Sequence, residues 1–271
     1  VSTVFFASEL EGVATYWRVF RRDGVTLGFT SHDRDLWFGG INHRAAPGML
    51  PSAIRKTSDL SDDSAEMTGV LSHDTISDSD LRIGRFDYAR IEVGAVDWSE
   101  LNPMPLYFGS IGQVSTLDGH FSADLRSTKA ELAKDIIPRT SPTCRAQFCG
   151  PGCGLSASLF THLGSVTDVD RSLNAVTITI GPAEAFVGGR LRWLDGPAAG
   201  QRTLVMGIQN NNLILADTLP PAIAGGVTVE LLEGCDHRLD TCGTRFANAI
   251  NFQAEPFLPG NDLLVRGPTT P

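Results

Sequence analysis

The sequence predicts a mainly β protein with some α, and three observations carry that expectation. Six short apolar runs between residues 166 and 232 are separated at regular intervals by Gly, Pro, Asn and Asp. Strand-like alternation recurs upstream, in Tyr88–Trp98 and Leu106–Val114. The hydrophobic content of 42% and charged content of 20% are those of a globular chain, which argues against disorder. At 271 residues the chain is long enough for two domains, or for one large β domain carrying an insertion.

The elements follow in order. Between Phe5 and Phe20 apolar residues fall at Leu10, Val13, Ala14, Trp17 and Val19–Phe20, which fits a short amphipathic helix or a helix-to-strand lead-in. Arg22-Asp23-Gly24 is a turn signal, Val25–Thr30 reads as a strand, and the polar Ser31–Asp35 precedes Leu36–Phe38, which ends at Gly39-Gly40. From Ala53 to Asp80 small, polar and acidic residues dominate, broken by the apolar Met67–Leu71. Ile76–Leu81 reads as a capped helical turn started by Ser77. After Leu106–Val114 comes a hairpin turn pair, Asp118-Gly119, and then the strand-like Phe121–Leu125. Thr128–Ile137 is the clearest helix, stopped by Pro138. The strand candidates of the later segment are Val166–Val169, Ala175–Ile180, Gly189–Leu194, Thr203–Ile208, Leu213–Ala216 and Thr228–Leu232, a signature of a small β-barrel or sandwich. The tail, Val265–Pro271, is expected to be loosely held.

Charge and composition narrow the function classes. The net charge is −9, so static binding to a phosphate backbone is disfavoured, while a wall past which DNA slides without sticking is compatible with it. No apolar run approaches the roughly 20 residues needed to cross a bilayer. Val1–Phe6 is too short, and lacks the basic start, for a secretory signal, so synthesis in a cytoplasm is expected.

Five cysteines bear the chemistry. Cys144 pairs in sequence with Cys153, and Cys235 with Cys242, with no cysteine between the pairs; Cys149 lies inside the first. Both pairs sit in Gly-, Pro- and Asp-rich segments, and a cytoplasmic origin favours reduced or metal-bound thiols over disulfides. The spacings fit neither the C-x-x-C knuckles of a zinc ribbon nor a bacterial ferredoxin run. Long loops within each pair suit a larger core such as [4Fe–4S]; on spacing alone iron–sulfur and zinc both stay open. A tie across the apolar segment would stabilise it by on the order of 4–5 kcal/mol in the chain-entropy model.

Other constellations point to little. His32, Asp33, Asp35 and His43, with His73-Asp74, could suggest a metal-dependent hydrolase, but the spacing matches no ligand motif and such carboxylates are usually turn formers. No phosphate loop and no Gly-x-Ser-x-Gly elbow is present. The four tryptophans read as core or interface anchors. Asn248 and Asn251, three apart between Phe246 and Phe252, suit a loop whose amides cap backbone groups.

Four stretches carry a family resemblance: Trp17–Gly24, Leu27–Leu36, Ile76–Leu81 through Gly84–Ala89, and Gly234-Cys-Asp-His-Arg238 to Pro259-Gly260. Together they resemble the baseplate or tail-tip hub proteins of siphophage-like tails and gene transfer agents, a family similar to the tail tip protein L of phage lambda. The resemblance implies tail-tube-like β-barrel domains, a small inserted β-barrel and a C-terminal iron–sulfur loop region. The corresponding division is 1–143, 144–233 and 234–271. It also implies a [4Fe–4S] cluster on Cys144, Cys153, Cys235 and Cys242, with zinc as the alternative; Cys149 departs from the usual pattern. The implied assembly is a homotrimeric ring in the virion or phage-like particle. It would lie between a hexameric distal tail protein and a central tip protein, around a lumen that DNA crosses without specific binding. No enzymatic role follows.

Overall fold

The computed structural model describes residues 12–46, 50–51, 64–70, 76–77, 80–81, 83–117, 120–129 and 137–258. The chain divides into two compact units, 1–135 and 136–271, each with its own core. The expected turn at Asp118-Gly119, His73-Asp74, the tail from Val265 and residues 130–136 of the helix expected over Thr128–Ile137 lie outside the described residues.

Among its described residues the first unit forms a nine-stranded sheet, where the resemblance implies tube-like barrels. Its strands are β1 (Val13–Phe20), β2 (Thr26–Thr30), β3 (Leu36–Phe38), β4 (Ile41–Ala45), β5 (Leu50–Pro51), β6 (Ser64–Val70), β7 (Arg90–Asp97), β8 (Asn102–Leu117) and β9 (His120–Ser127). The order is β3-β4-β2-β1-β7-β8-β9-β6-β5, antiparallel except for β2 beside β4. The segment to Phe20 that reads as a helix or a helical lead-in is thus, from Val13, a strand. The reason is burial on both faces. Tyr16 and Trp17 point to opposite sides and both are inaccessible, so the apolar residues do not alternate and the period of 2 is lost. Trp17 and Val19 join the larger core with Phe29, Phe86, Ile91, Val93, Tyr107 and Ile111, while Ala14 and Tyr16 pack with Leu36, Phe38 and Val96. The expected cap at Ser77 is present: its hydroxyl accepts the Asp80 amide at 3.1 Å.

The second face of β1 carries a buried polar cluster. The Tyr16 hydroxyl donates to Glu92 at 2.7 Å, Arg18 donates to Glu92 at 3.2 Å, and Arg18 Nε donates to His43 Nε2 at 3.0 Å. Phe38 stacks on the His43 ring at 3.7 Å.

The second unit contains a closed six-stranded barrel, in the order β10-β11-β14-β13-β12-β15. Its strands are β10 (Thr161–Asp170), β11 (Ala175–Ile178), β12 (Arg190–Trp193), β13 (Arg202–Gln209), β14 (Asn212–Leu215) and β15 (Thr228–Leu232), one for each apolar run read in sequence. Inward residues alternate along them, with Val176, Leu191, Trp193, Val205, Leu213, Val229 and Leu231 filling the core. Turns at Asn174, Asn210 and Asn211 use the left-handed backbone that asparagine tolerates.

Closure decides what happens at the barrel's ends. The first and last strands, β10 and β15, pair antiparallel from Thr161–Leu232 to Ser165–Thr228. The Glu233 amide extends this ladder to the Phe160 carbonyl at 2.9 Å. The chain entering at 160 and leaving at 233 is therefore held side by side, although 73 positions separate them in sequence. For this reason 144–233 and 234–271, expected as separate domains, share one compact unit. Among the described residues no helix is long and apolar enough to cross a membrane.

A candidate cysteine-lined centre

The two chain segments flanking the barrel fold against each other. The Cys144 amide donates to the His237 carbonyl at 2.8 Å, and His237 Nδ1 lies 2.9 Å from the Cys144 carbonyl. Because a carbonyl only accepts, Nδ1 carries the proton. The Arg145 amide donates to the Gln253 carbonyl at 3.0 Å, and the Arg145 guanidinium grips Glu255 with two bonds of 2.7 and 2.8 Å. Arg145 and a backbone amide, that of Ser141, hold the Glu255 carboxyl down at about 2.

Each cysteine owes its position to local backbone chemistry. Gly150-Pro151-Gly152 forms a tight turn in which the Cys153 amide donates to the Gly150 carbonyl at 3.0 Å, and Cys149 takes a left-handed φ of 57°. Cys235 follows Gly234, where a Cβ would sit 1.7 Å from the Val187 carbonyl oxygen. Only glycine lets the backbone pass there. His237 is left-handed at 61°, which turns the chain so that its amide faces back to the Cys235 sulfur. Asp236 then accepts from the Arg238 amide at 3.0 Å and the Thr241 hydroxyl at 2.8 Å, starting α1 (Leu239–Thr244). This helix replaces the loop read for 234–243 and carries Cys242, which is buried. Its brevity and its glycine hide it from sequence periodicity.

Four sulfur residues meet at one cavity. It has about 330 Å³ of atom-free space, part of it open to solvent, and is lined by Cys144, Cys153, Cys235 and Cys242 with His237 and Asn248 among its walls. Phe148 and Phe246 contribute an apolar side, and both pack on Phe160 with ring centroids 5.4 Å away. Cys149 is not among the lining residues. Burial, with the neighbouring Cys153, pushes its thiol up to about 11, so it stays protonated.

Three of the four sulfurs receive N–H groups. The His237 amide lies 3.4 Å from Cys235 Sγ, the Gln253 amide 3.4 Å from Cys144 Sγ, and the Asn248 side-chain amide 3.6 Å from Cys153 Sγ. Donors aimed at sulfur favour the thiolate, yet burial raises the Cys235 and Cys242 thiols, and mutual repulsion with the other cysteines of the cavity adds to it. Two flanking guanidinium groups are already committed, Arg145 to Glu255 and Arg245 to Glu233 at 2.5 Å. The cavity thus gathers four cysteine side chains, with N–H donors facing three of the sulfurs, a donor set able to hold a metal centre. Among the described residues no group of three or more His, Cys, Asp or Glu side chains is gathered closely enough to hold a metal ion. A zinc site would need four sulfurs about 2.3 Å from one point. Four cysteine sulfurs are equally the ligand set of a [4Fe–4S] core.

Among the described residues, those that could suggest a hydrolase form no shared site. Asp35 accepts the Ala45 amide at 2.9 Å as a turn former, Asp33 lies 3.0 Å from His32 on the surface, and His43 is buried against Arg18. Of the tryptophans, Trp17 and Trp193 are core residues, whereas Trp37 is 65% exposed. Sequence reading gave no sign of the amide donors from His237 and Gln253, since backbone groups leave no residue signature. Asn248 was visible as one of two spaced asparagines, without its target.

Comparison with known proteins agrees with this architecture. Residues 5–156 match a family described as "Baseplate hub protein, N-terminal attachment domain", and residues 184–262 match "Phage conserved hypothetical protein BR0599". No curated protein matches the chain in sequence. Among solved structures, a chain of the "Virion of native gene transfer agent (GTA) particle" is similar over 97% of this chain and 94% of that one, with 30% identity and a TM-score of 0.83.

Proposed function

For this chain, which belongs to the baseplate hub protein family, we propose a structural role in the tail baseplate of a phage-like particle, with no catalytic step. The single observation that carries the reading is the likeness of nearly the whole chain to a component of a gene transfer agent virion. Both units take part in that likeness, so the cysteine-flanked barrel belongs to the shared architecture. The finer assembly follows from the resemblance: a trimeric ring joins a hexameric distal tail protein to a central tip protein and surrounds the exit channel. The net charge of −9 supports a lumen that repels the DNA it conducts.

Cys144, Cys153, Cys235 and Cys242 hold a [4Fe–4S] cluster in this proposal. The fit rests on four cysteines around one cavity, N–H donors on three sulfurs and an apolar wall. A bound cluster would be held by one thiolate from each of the four cysteines and would tie the two flanking segments together. The chain's own residues would do the rest: the β10–β15 ladder aligns the flanking segments, Arg145–Glu255 locks one edge, and Phe148 and Phe246 limit solvent access. Its task is then structural, a staple between segments that lack a large core of their own. Zinc, which takes the same four cysteine ligands, is the alternative.

Particles made without this chain test the role. Loss of the tail-tip density in electron micrographs, restored by the supplied protein, is expected. Unchanged tails would overturn it. Mass measurement of the purified chain gives three copies if the ring forms alone.

A further inference from the structure

The loop after α1 contains a buried asparagine that touches both halves of the cysteine-lined cavity. Asn248 is 5% exposed and follows Ala247, whose φ of 47° is left-handed and strained for a residue with a Cβ. The Asn248 backbone amide donates to the Cys242 carbonyl at 2.9 Å. Its side-chain Nδ2 donates to the Cys153 carbonyl at 2.8 Å and faces Cys153 Sγ at 3.6 Å. One residue thus links a cysteine before the barrel to a cysteine after it, 89 positions apart in sequence.

The orientation of that amide is fixed by a second asparagine. Asn251 Nδ2 donates to Asn248 Oδ1 at 2.7 Å, and the Asn251 backbone amide donates to the Asn248 carbonyl at 3.0 Å. With its oxygen occupied by a donor, the Asn248 side chain must turn its nitrogen to Cys153. A flipped amide would set oxygen against the Cys153 carbonyl and leave two N–H groups facing each other. The spacing of three, visible in the sequence, therefore serves as an orienting device.

We propose that Asn248, held by Asn251, is a positioning residue that directs an N–H at the Cys153 sulfur, anchors that ligand and raises the reduction potential of the bound cluster. This rests on the cluster reading above. The physical ground is charge. Reduction adds an electron whose density spreads onto the sulfurs, and an N–H aimed at a sulfur stabilises the more negative state. Removing the donor favours the oxidised form. Replacing it by a carboxylate, which adds negative charge at the same place, favours it further. Cys235 and Cys144 receive comparable donors from backbone amides, which side-chain truncation leaves in place, so Asn248 is the donor whose side chain can be tested.

The experiment uses the full chain purified anaerobically, with Asn248→Ala, Asn248→Asp and Asn251→Ala variants. Iron and sulfide are measured first, then the potential by spectroelectrochemistry and the rate of iron loss to a chelator. The expected result is a potential lowered in all three variants and lowest in Asn248→Asp. There the ratio of oxidised to reduced form at a fixed potential rises about ten-fold, a shift of about 59 mV for one electron. Iron loss accelerates several-fold in the same order. If the Asn248 variants do not retain a cluster, Asn251→Ala decides, because it leaves the donor in place and frees only its orientation. Wild-type potential and iron loss in Asn251→Ala would then overturn the proposal. So would variants that melt earlier without metal yet keep the wild-type potential, which marks a purely structural residue. Wild-type protein without iron and sulfide would defeat the cluster reading itself, an outcome distinct from a cluster whose potential does not respond.

Discussion

Replacing Gly234 by alanine tests how the barrel positions the cysteines. The added Cβ would lie 1.7 Å from the Val187 carbonyl oxygen, 2.5 Å from its carbon and 2.7 Å from the Gly189 nitrogen. Real Cβ atoms stay beyond 3.0 Å of such neighbours, so backbone must move by more than an ångström, and no flexible side chain can yield instead. The opposing turn cannot give easily: the Gly188 amide is bonded to the Val205 carbonyl at 2.8 Å and Gly189 to Phe186 at 2.8 Å. The displacement therefore falls on 233–235 and carries Cys235 away from the cavity. Overpacking costs about 1–3 kcal/mol, and losing the bond from the Gly234 amide to the Ala185 carbonyl adds about 1. A loss of about 3 kcal/mol lowers the unfolding midpoint by roughly 6–12 °C. The control is Gly207→Ala, on β13, where an added Cβ meets nothing within 4 Å; it should change stability by less than about 1 kcal/mol. Calorimetry of both variants, with iron content, is the assay. Equal midpoints for the two would refute the claim that close backbone approach sets Cys235.

Three further outcomes are expected. Burial, and then the charge of Arg18, lowers His43 from 6.5 to about 4, so its folded form binds fewer protons than its unfolded form between those values. The first unit should accordingly lose up to about 3 kcal/mol as pH falls from 6.5 to 4, a dependence absent in His43→Phe when unfolding is followed by tryptophan fluorescence. Glu255 is held at about 2, below its unfolded value, so its contribution is full above pH 4.5 and lost as pH falls towards 2. Glu255→Gln should be less stable than wild type at pH 7 and indistinguishable near pH 2 in chemical denaturation. Cys149→Ser should keep iron and sulfide at wild-type content, whereas Cys153→Ser should lose them, because Cys153 lines the cavity and Cys149 does not.

Particular residues show where sequence sufficed. All six barrel strands were legible at least in part, β10 only from Val166, because each has one face in the core and Gly, Asn, Asp or Pro recur between them. β1 was not, since Tyr16 and Trp17 are both buried and period 2 disappears. β4 was hidden by its polar alternation, Asn42 and Arg44 about a buried His43. The cysteines were readable as a set, but their convergence depends on β10 pairing with β15, a contact between distant segments that local pattern does not encode. The amide donors to sulfur depend in turn on left-handed turns at His237 and Ala247, residues that do not advertise such a conformation.

The central claim is that Cys144, Cys153, Cys235 and Cys242 grip one inorganic core across the foot of a closed barrel. Iron and acid-labile sulfide analysis of the anaerobically purified chain, with its visible absorbance, tests this most directly. Four irons and four sulfides per chain, with a brown colour lost on Cys153→Ser substitution, is the predicted result. A colourless protein holding zinc, or holding no metal with its four thiols free, would contradict it.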